Sequence, residues 1–285
     1  MSLAPQKIVR RYPLVGLSLV VAVLVGGCAS NYVDGEYRPI RAQHGKDVMW
    51  VPTPDALVTN MLQMAKVTSD DLVYDLGAGD GKIAIAVARQ YGATAVGIEY
   101  NAEMADFARE QVQRAGVQDK VTIVTGDIFK EDFSKADVLT LYLLESLNVR
   151  LKPQILDMKP GTRVVSNTFR MGAWQPDATT SVDNGWSAYL WVVPAKVQGR
   201  WQFSGLDGVP AGVFDLKQSF QHVVGTYTPV SGQPQQVKGR LAGQHLRIGP
   251  DGPGMLSTGI DLLIQQDHWR PAAHPPVAHV AKRLP

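Results

Sequence analysis

The run DLGAGDG at residues 75–81 sets Gly77, Gly79 and Gly81 between a short apolar stretch, 72–76, and an Ala- and Ile-rich stretch, 81–90. Glycines this dense predict a tight turn whose backbone lies against a ligand, because no Cβ stands in the way. The helix expected after the turn begins with N–H groups that lack intrahelical partners. With the helix dipole, they favour a negatively charged ligand group. The spacing rejects two common nucleotide loops. A dinucleotide loop, G-x-G-x-x-G, would need its third glycine where Lys82 stands. A P-loop, GxxxxGK[ST], would need Ser or Thr after Gly81-Lys82, and that residue is Ile83.

Around the turn, strand-like and helix-like stretches alternate. Residues 94–98, 121–124, 137–143 and 163–166 read as strands, and 55–66, 102–115 and 149–158 as helices. This alternation predicts an α/β fold with a doubly wound, mostly parallel, Rossmann-like sheet. Ligands bind such sheets at the carboxyl ends of the strands. Glu99 ends the second strand, where an acidic side chain can accept hydrogen bonds from both hydroxyls of a ribose. Gly126 and Asp127 end the third.

Downstream the pattern changes. Asp183-Asn184-Gly185 carries a hairpin signal before a strand at 188–193. From 199 to about 263 there are only strand-like segments broken by Gly and Pro, and Phe214, Leu216, Gln218 and Phe220 follow a partial period of two. This predicts a small antiparallel β meander of about five or six strands, with Trp201, Phe214, Phe220 and Tyr227 in its core and a loose tail from Arg270. The expected organisation is a leader at 1–27, a tether at 28–48, an α/β domain at 49–195 and a β domain at 196–285.

The formal net charge is +2, so binding driven by a nucleic-acid backbone is not indicated. Six histidines are scattered without an HExxH pair, and no metal site is expected. At the N-terminus, Lys7, Arg10 and Arg11 precede an uncharged run, 14–25, that is short for a membrane span and fits a secretory h-region. Gly26, Gly27 and the single cysteine, Cys28, follow. The sequence VGGC resembles a bacterial lipobox, in which the signal is cut before the cysteine and the cysteine is lipidated. It implies a membrane-anchored lipoprotein of the cell envelope with Cys28 as the lipidation site; an uncleaved inner-membrane signal anchor is the alternative.

The spacing D-x-G-x-G-x-G from Asp75 resembles motif I of class I S-adenosylmethionine (SAM) dependent methyltransferases, with Glu99 and Asp127 following in that family's order. The segments MWVPTPDALVTNML, VYDLGAGDGKIAIAVA, VLTLYLLESLNVRLKP and KPGTRVVSNTF are similar, over roughly residues 50–195, to a bacterial group. That group is related to the mitochondrial lysine methyltransferases of ATP synthase c-subunit and adenine nucleotide translocase. The resemblance implies SAM as cofactor and a protein lysine as acceptor. It implies cofactor contacts at Asp75, Gly77, Gly79, Asp80, Gly81, Glu99, Tyr100, Asp127 and Ile128, under a covering strap of Val51, Pro52 and Thr53. Tyr142 and Glu145, with Asn148 beside them, follow a strand end and are acceptor-side candidates by position; Asn148 could equally be a helix cap. Two departures stand out. Trp50 replaces a common tyrosine, and FRMGAW at 169–174 has Arg170 and Ala173 where the group has acids. SAM is a cytoplasmic metabolite, whereas a lipoprotein signal exports its domain. An exported, noncatalytic envelope or binding module is therefore the alternative to an enzyme.

Overall fold

The structure, a computed structural model, describes residues 32–33, 36–43, 47–182, 185–206, 208–250, 259–272 and 279–285. Cys28, the rest of the expected leader, and Asp183-Asn184 of the hairpin signal lie outside the described residues.

A two-stranded ribbon, β1 (Tyr32–Val33) and β2 (Glu36–Tyr37), precedes α1 (Asp55–Met64), β3 (Leu72–Leu76), α2 (Lys82–Tyr91), β4 (Thr94–Glu99) and α3 (Ala102–Ala115). Then come β5 (Val121–Thr125), β6 (Val138–Leu141), α4 (Glu145–Leu156), β7 (Arg163–Asn167), β8 (Ala178–Ser181) and β9 (Ser187–Val192). Strands β3 to β9 form one sheet in the order β5-β4-β3-β6-β7-β9-β8. β3 to β7 are parallel, and β9 runs antiparallel to β7 and to β8. All four residues of β6 are buried, as expected of a strand covered on both faces.

The helices follow the apolar spacing. α1 buries Leu57, Val58, Met61 and Leu62, and α2 buries Ile83, Ala84, Val87 and Ala88. Asn101 caps α3 by accepting from the Met104 N–H at 3.0 Å, and Gly116 ends it in the left-handed conformation. Because the chain runs outward from β3 to β5 on one side and returns to β6 on the other, a crevice opens at the carboxyl ends of β3 and β6.

Within the segment read as a tether, the described residues are folded onto this domain. The Tyr37 ring meets Phe107 of α3 edge-on at 6.2 Å, and Gln43 Nε2 donates to the Tyr37 hydroxyl at 2.6 Å. Trp50 exchanges backbone hydrogen bonds with Ala42 and Gln43.

The C-terminal region is larger and more closed than a meander. β10 (Gly199–Phe203), β11 (Gly212–Ser219), β12 (His222–Pro229), β13 (Gln235–Ala242), β14 (His245–Pro250), β15 (Ile260–Gln265), β16 (His268–Pro271) and β17 (Ala281–Arg283) form a closed antiparallel barrel. The tail expected to be loose supplies the closing strand, for β17 pairs with both β16 and β10. Inward positions carry Trp201, Phe203, Phe214, Tyr227 and Trp269, all fully buried, with Trp201 and Trp269 only 4.6 Å apart. On β11, Asp215 and Lys217 point out, the reverse of a barrel wall that faces lipid. No described helix is long and apolar enough to cross a membrane.

Phe220, expected in the core of the β domain, leaves it. The β11–β12 turn holds Phe220 at φ 53° and stacks it on Trp174 of the α/β domain, 5.9 Å away at 12°. Beside it Gln221 Nε2 donates to the Gln175 carbonyl at 2.9 Å, and Arg240 pairs with Asp177 at 2.6 Å. The barrel is thus docked on the segment that follows β7. Phe214→Ala, at a fully buried barrel position, should cost about 3–5 kcal/mol in urea denaturation, and Phe220→Ala, only half-buried, about 2 kcal/mol.

Candidate functional site

The chain turns sharply on leaving β3. The N–H groups of Gly77 and Ala78 both donate to the Ile98 carbonyl, at 2.9 and 3.0 Å, and the Gly79 N–H donates to Glu99 Oε2 at 2.9 Å. Gly77, Gly79 and Gly81 sit at φ 83°, 54° and 78°, where only glycine is unstrained. A Cβ on Gly79 would stand 2.7 Å from Trp50 Nε1. Gly81 serves differently, as the N-cap of α2, and it faces Ala108 of α3 rather than the crevice.

A cavity of about 300 Å³ occupies the crevice. Gly77, Gly79 and Asp80 form one wall, and Glu99 with Tyr100 a second. Asp127 and Ile128 form a third, Tyr142 closes the far side, and Val51, Pro52 and Thr53 roof it, with Asp75 also lining it. Of the positions expected from the sequence, Gly81, Glu145 and Asn148 are not brought to this cavity. Glu145 is exposed in the first turn of α4, which instead contributes Leu144 and Leu147.

The acids differ in their surroundings. Glu99 is gripped by two backbone donors, the Gly79 N–H on Oε2 and the Asn101 N–H on Oε1, each at 2.9 Å. Each oxygen keeps a lone pair for a further donor. Asp127 Oδ1 accepts from the Phe129 N–H at 3.1 Å. Asp75 is 2% exposed and accepts from the Thr140 hydroxyl at 2.7 Å. Burial, partly offset by that hydrogen bond, pushes its carboxyl up to about 7. Burial also raises Asp80, against the Lys82 N–H and the Lys82 charge, which pull it down. The phenol of Tyr142 is raised by burial as well, with the Arg41 charge pulling it down.

The roof is tied from two sides. Lys82 Nζ donates to the Thr53 carbonyl at 3.1 Å, and Asn167 Nδ2 to the Thr53 hydroxyl at 3.4 Å. Pro54 sits at the N-cap of α1 without a side-chain cap bond, so neither Thr53 nor Asp55 caps that helix.

Asn148 is buried and caps no helix. Its Nδ2 lies 3.2–3.3 Å from Ser166 Oγ and from the carbonyls of Phe169 and Arg170, fixing the turn after β7. Thr168 in that turn is at φ 63°. The turn delivers Phe169 to the cavity, where it stacks on Tyr142 at 6.4 Å and 28°. Arg170 turns away and lies over the Tyr189 ring at 4.9 Å; neither it nor Ala173 lines the cavity. Sequence reasoning missed Phe169 as a wall residue, although it stands at a strand end as the other site residues do. It also missed Gln43, Asp47 and Met49 of the preceding segment, which carry no motif. Among the described residues no His, Cys, Asp and Glu group could hold a metal.

Comparisons with known proteins agree with this geometry. Residues 75–178 match the ANTKMT methyltransferase domain family. A protein-lysine N-methyltransferase of Saccharolobus islandicus is 42% identical over 151 residues, which are 51% of this chain and 94% of that protein. A mouse lysine N-methyltransferase named for the ATP synthase c-subunit is 30% identical over 141 residues, and the match spans 48% of this chain but only 56% of the mouse protein. A crystal structure of an RNA methyltransferase from Salinibacter ruber with S-adenosyl-L-homocysteine is 44% identical, with a TM-score of 0.50. It covers 52% of this chain and 96% of that one. The glycine turn, which a Cβ would fill, and the open lone pairs of Glu99 suit the same cofactor here.

Two outcomes follow. Gly79→Arg should abolish S-adenosylhomocysteine binding in calorimetry, since both the backbone angle and the Trp50 indole forbid the side chain. For Asp75, a folded-state pKa raised to about 7 means that its contribution to stability is full below the unfolded value near 3.8. That contribution is lost as pH rises through 7. Ligand-free protein should therefore lose up to about 4 kcal/mol from this group between pH 4 and 8. Asp75→Asn should flatten that slope in denaturation measured across the range.

Proposed function

The chain belongs to the protein-lysine N-methyltransferase family, and from that premise we propose that it transfers a methyl group from SAM to a lysine amine of a protein. The observation that carries the cofactor part of this reading is the Glu99 carboxylate, held between the Gly79 and Asn101 N–H groups at the mouth of a left-handed glycine turn, and the lysine acceptor rests on the 42% identity to a protein-lysine N-methyltransferase. The remaining lone pairs of Glu99 would accept hydrogen bonds from the two ribose hydroxyls of SAM, and Asp127 and Ile128, which line the same cavity, would border the adenine. When bound, SAM supplies a methyl group on a positively charged sulfur, a leaving group that needs no acid.

What remains for the protein is alignment and exclusion of water. Val51, Pro52 and Thr53 cover the cavity, and Tyr142, Leu143 and Phe169 give it an aromatic and apolar far wall. A free lysine at pH 7 must give up a proton at a cost of about 4–5 kcal/mol before it can attack. Withdrawal of the ammonium from water along this wall, close to the positive sulfur, lowers that cost. The neutral Tyr142 phenol keeps acceptor lone pairs that can orient the amine. Glu145 stands exposed outside the cavity.

We further propose that Cys28 is lipidated and anchors the domain to a membrane of the cell envelope. The support is the n-region, the uncharged run and the VGGC sequence.

The decisive experiment gives the purified protein methyl-labelled SAM and two acceptor pools, a lysine-bearing peptide array and total RNA. Label on lysine Nε, absent with Gly79→Arg, is expected. Label in RNA alone, or none in either pool, overturns the lysine reading. For the anchor, radioactive palmitate should label the wild type and not Cys28→Ala; equal labelling of both would remove it.

A further inference from the structure

Lys82 is the first residue of α2, at the positive end of the helix dipole, where a cation is disfavoured. The Gly81-Lys82 pair is no part of a P-loop, and the methyl-transfer reading above gives the lysine no role. Its side chain is two-thirds covered and lies along the cavity wall. The ammonium reaches back 29 residues in sequence to the carbonyl of Thr53, at 3.1 Å, and pairs with Asp55 at 3.0 Å. Asp55 is 90% exposed, so the ion pair contributes little on its own and chiefly aims the ammonium. Thr53, by contrast, is 6% exposed, and its carbonyl is a buried acceptor that needs a donor. Its hydroxyl is held from the opposite side by Asn167, at the end of β7.

The same lysine is bonded to the turn beneath the cavity. Its own N–H donates to Asp80 Oδ1 at 3.2 Å, and Asp80 lies within the glycine run. One residue thus joins the floor to the roof. We propose that Lys82 is a positioning residue, a latch that holds the Val51–Pro52–Thr53 roof down on the glycine turn and thereby sets how long the cofactor stays. Without it the Thr53 carbonyl must find water, and the roof must lift to admit it. The inference rests on the cofactor assignment above, and the test separates the two.

S-adenosylhomocysteine is the probe, its affinity measured by calorimetry and its release by stopped-flow chase. Lys82→Met should bind about tenfold more weakly than wild type, with the loss in the release rate and the melting temperature of ligand-free protein unchanged. Lys82→Arg, which keeps a long cationic donor, should recover most of the affinity. Lys196→Met, which removes an exposed ion pair with Asp157 instead, should bind as wild type does. The latch is overturned if Lys82→Met binds within about twofold of wild type. It is also overturned if the affinity loss comes with a matching fall in ligand-free melting temperature that Lys82→Arg does not repair. If wild type itself binds no S-adenosylhomocysteine, the cofactor assignment fails and the latch with it.

Discussion

The fold of the site depends on one carboxylate. Glu99 accepts from the Gly79 N–H with one oxygen and from the Asn101 N–H with the other, so the turns after β3 and β4 are fixed by a single side chain. A charge-assisted pair of this kind is stronger than a neutral one, and here it spans two adjacent parallel strands. The close approach it demands explains other residues. A Cβ on Gly97 of β4 would stand 2.7 Å from the Ala78 Cβ, so that strand can carry no larger residue under the turn. The Ile98 carbonyl takes both N–H groups at the start of the turn, which leaves Gly79 free to meet Glu99.

Above this floor the wall is set by packing. Leu143 touches the position a Gly77 side chain would occupy, at 3.0 Å, and belongs to the same buried cluster as Trp174 and Trp191. Phe220 of the barrel packs against that cluster from outside. A continuous run of apolar contacts therefore links the barrel turn to the glycine turn. The Asn148 hydrogen bonds hold the turn that brings Phe169 to the cavity wall. Arg170 and Ala173 of FRMGAW stand away from the cavity wall.

Much of this was legible in the sequence, for local reasons. Glycine spacing, an acid at a strand end and helix stops are near-neighbour signals, and they located β3, α2, β4 and the acids of the site. What could not be read was non-local. The Lys82–Thr53 bond joins residues in different elements and has no spacing rule. Glu145 follows the strand-end rule, yet α4 begins at that residue and turns it to solvent, four residues before the expected helix start. The segment before Trp50 looked like a polar tether because its contacts, such as Tyr37 on Phe107 and Gln43 on Tyr37, follow no helical or strand period. The barrel strands alternate weakly, and closure rests on β17 finding β10, which no local window contains.

That closure has a bearing on how the chain folds. Arg283 donates to carbonyls 85 and 87 residues upstream and lies over the Trp201 ring at 4.3 Å. Contacts so distant along the chain are entropically late and slow to form. Until they form, β10 and β16 are open sheet edges with Trp201 and Trp269 unsheltered, a state prone to pairing with other chains. The parallel sheet upstream pairs β3 with β6 across 65 residues, but it contains no barrel strand and so can be complete before the barrel is. The Trp174 surface on which Phe220 later rests then offers the unfinished barrel a template, so that the hairpin of β11 and β12 is the part of it best placed to settle first.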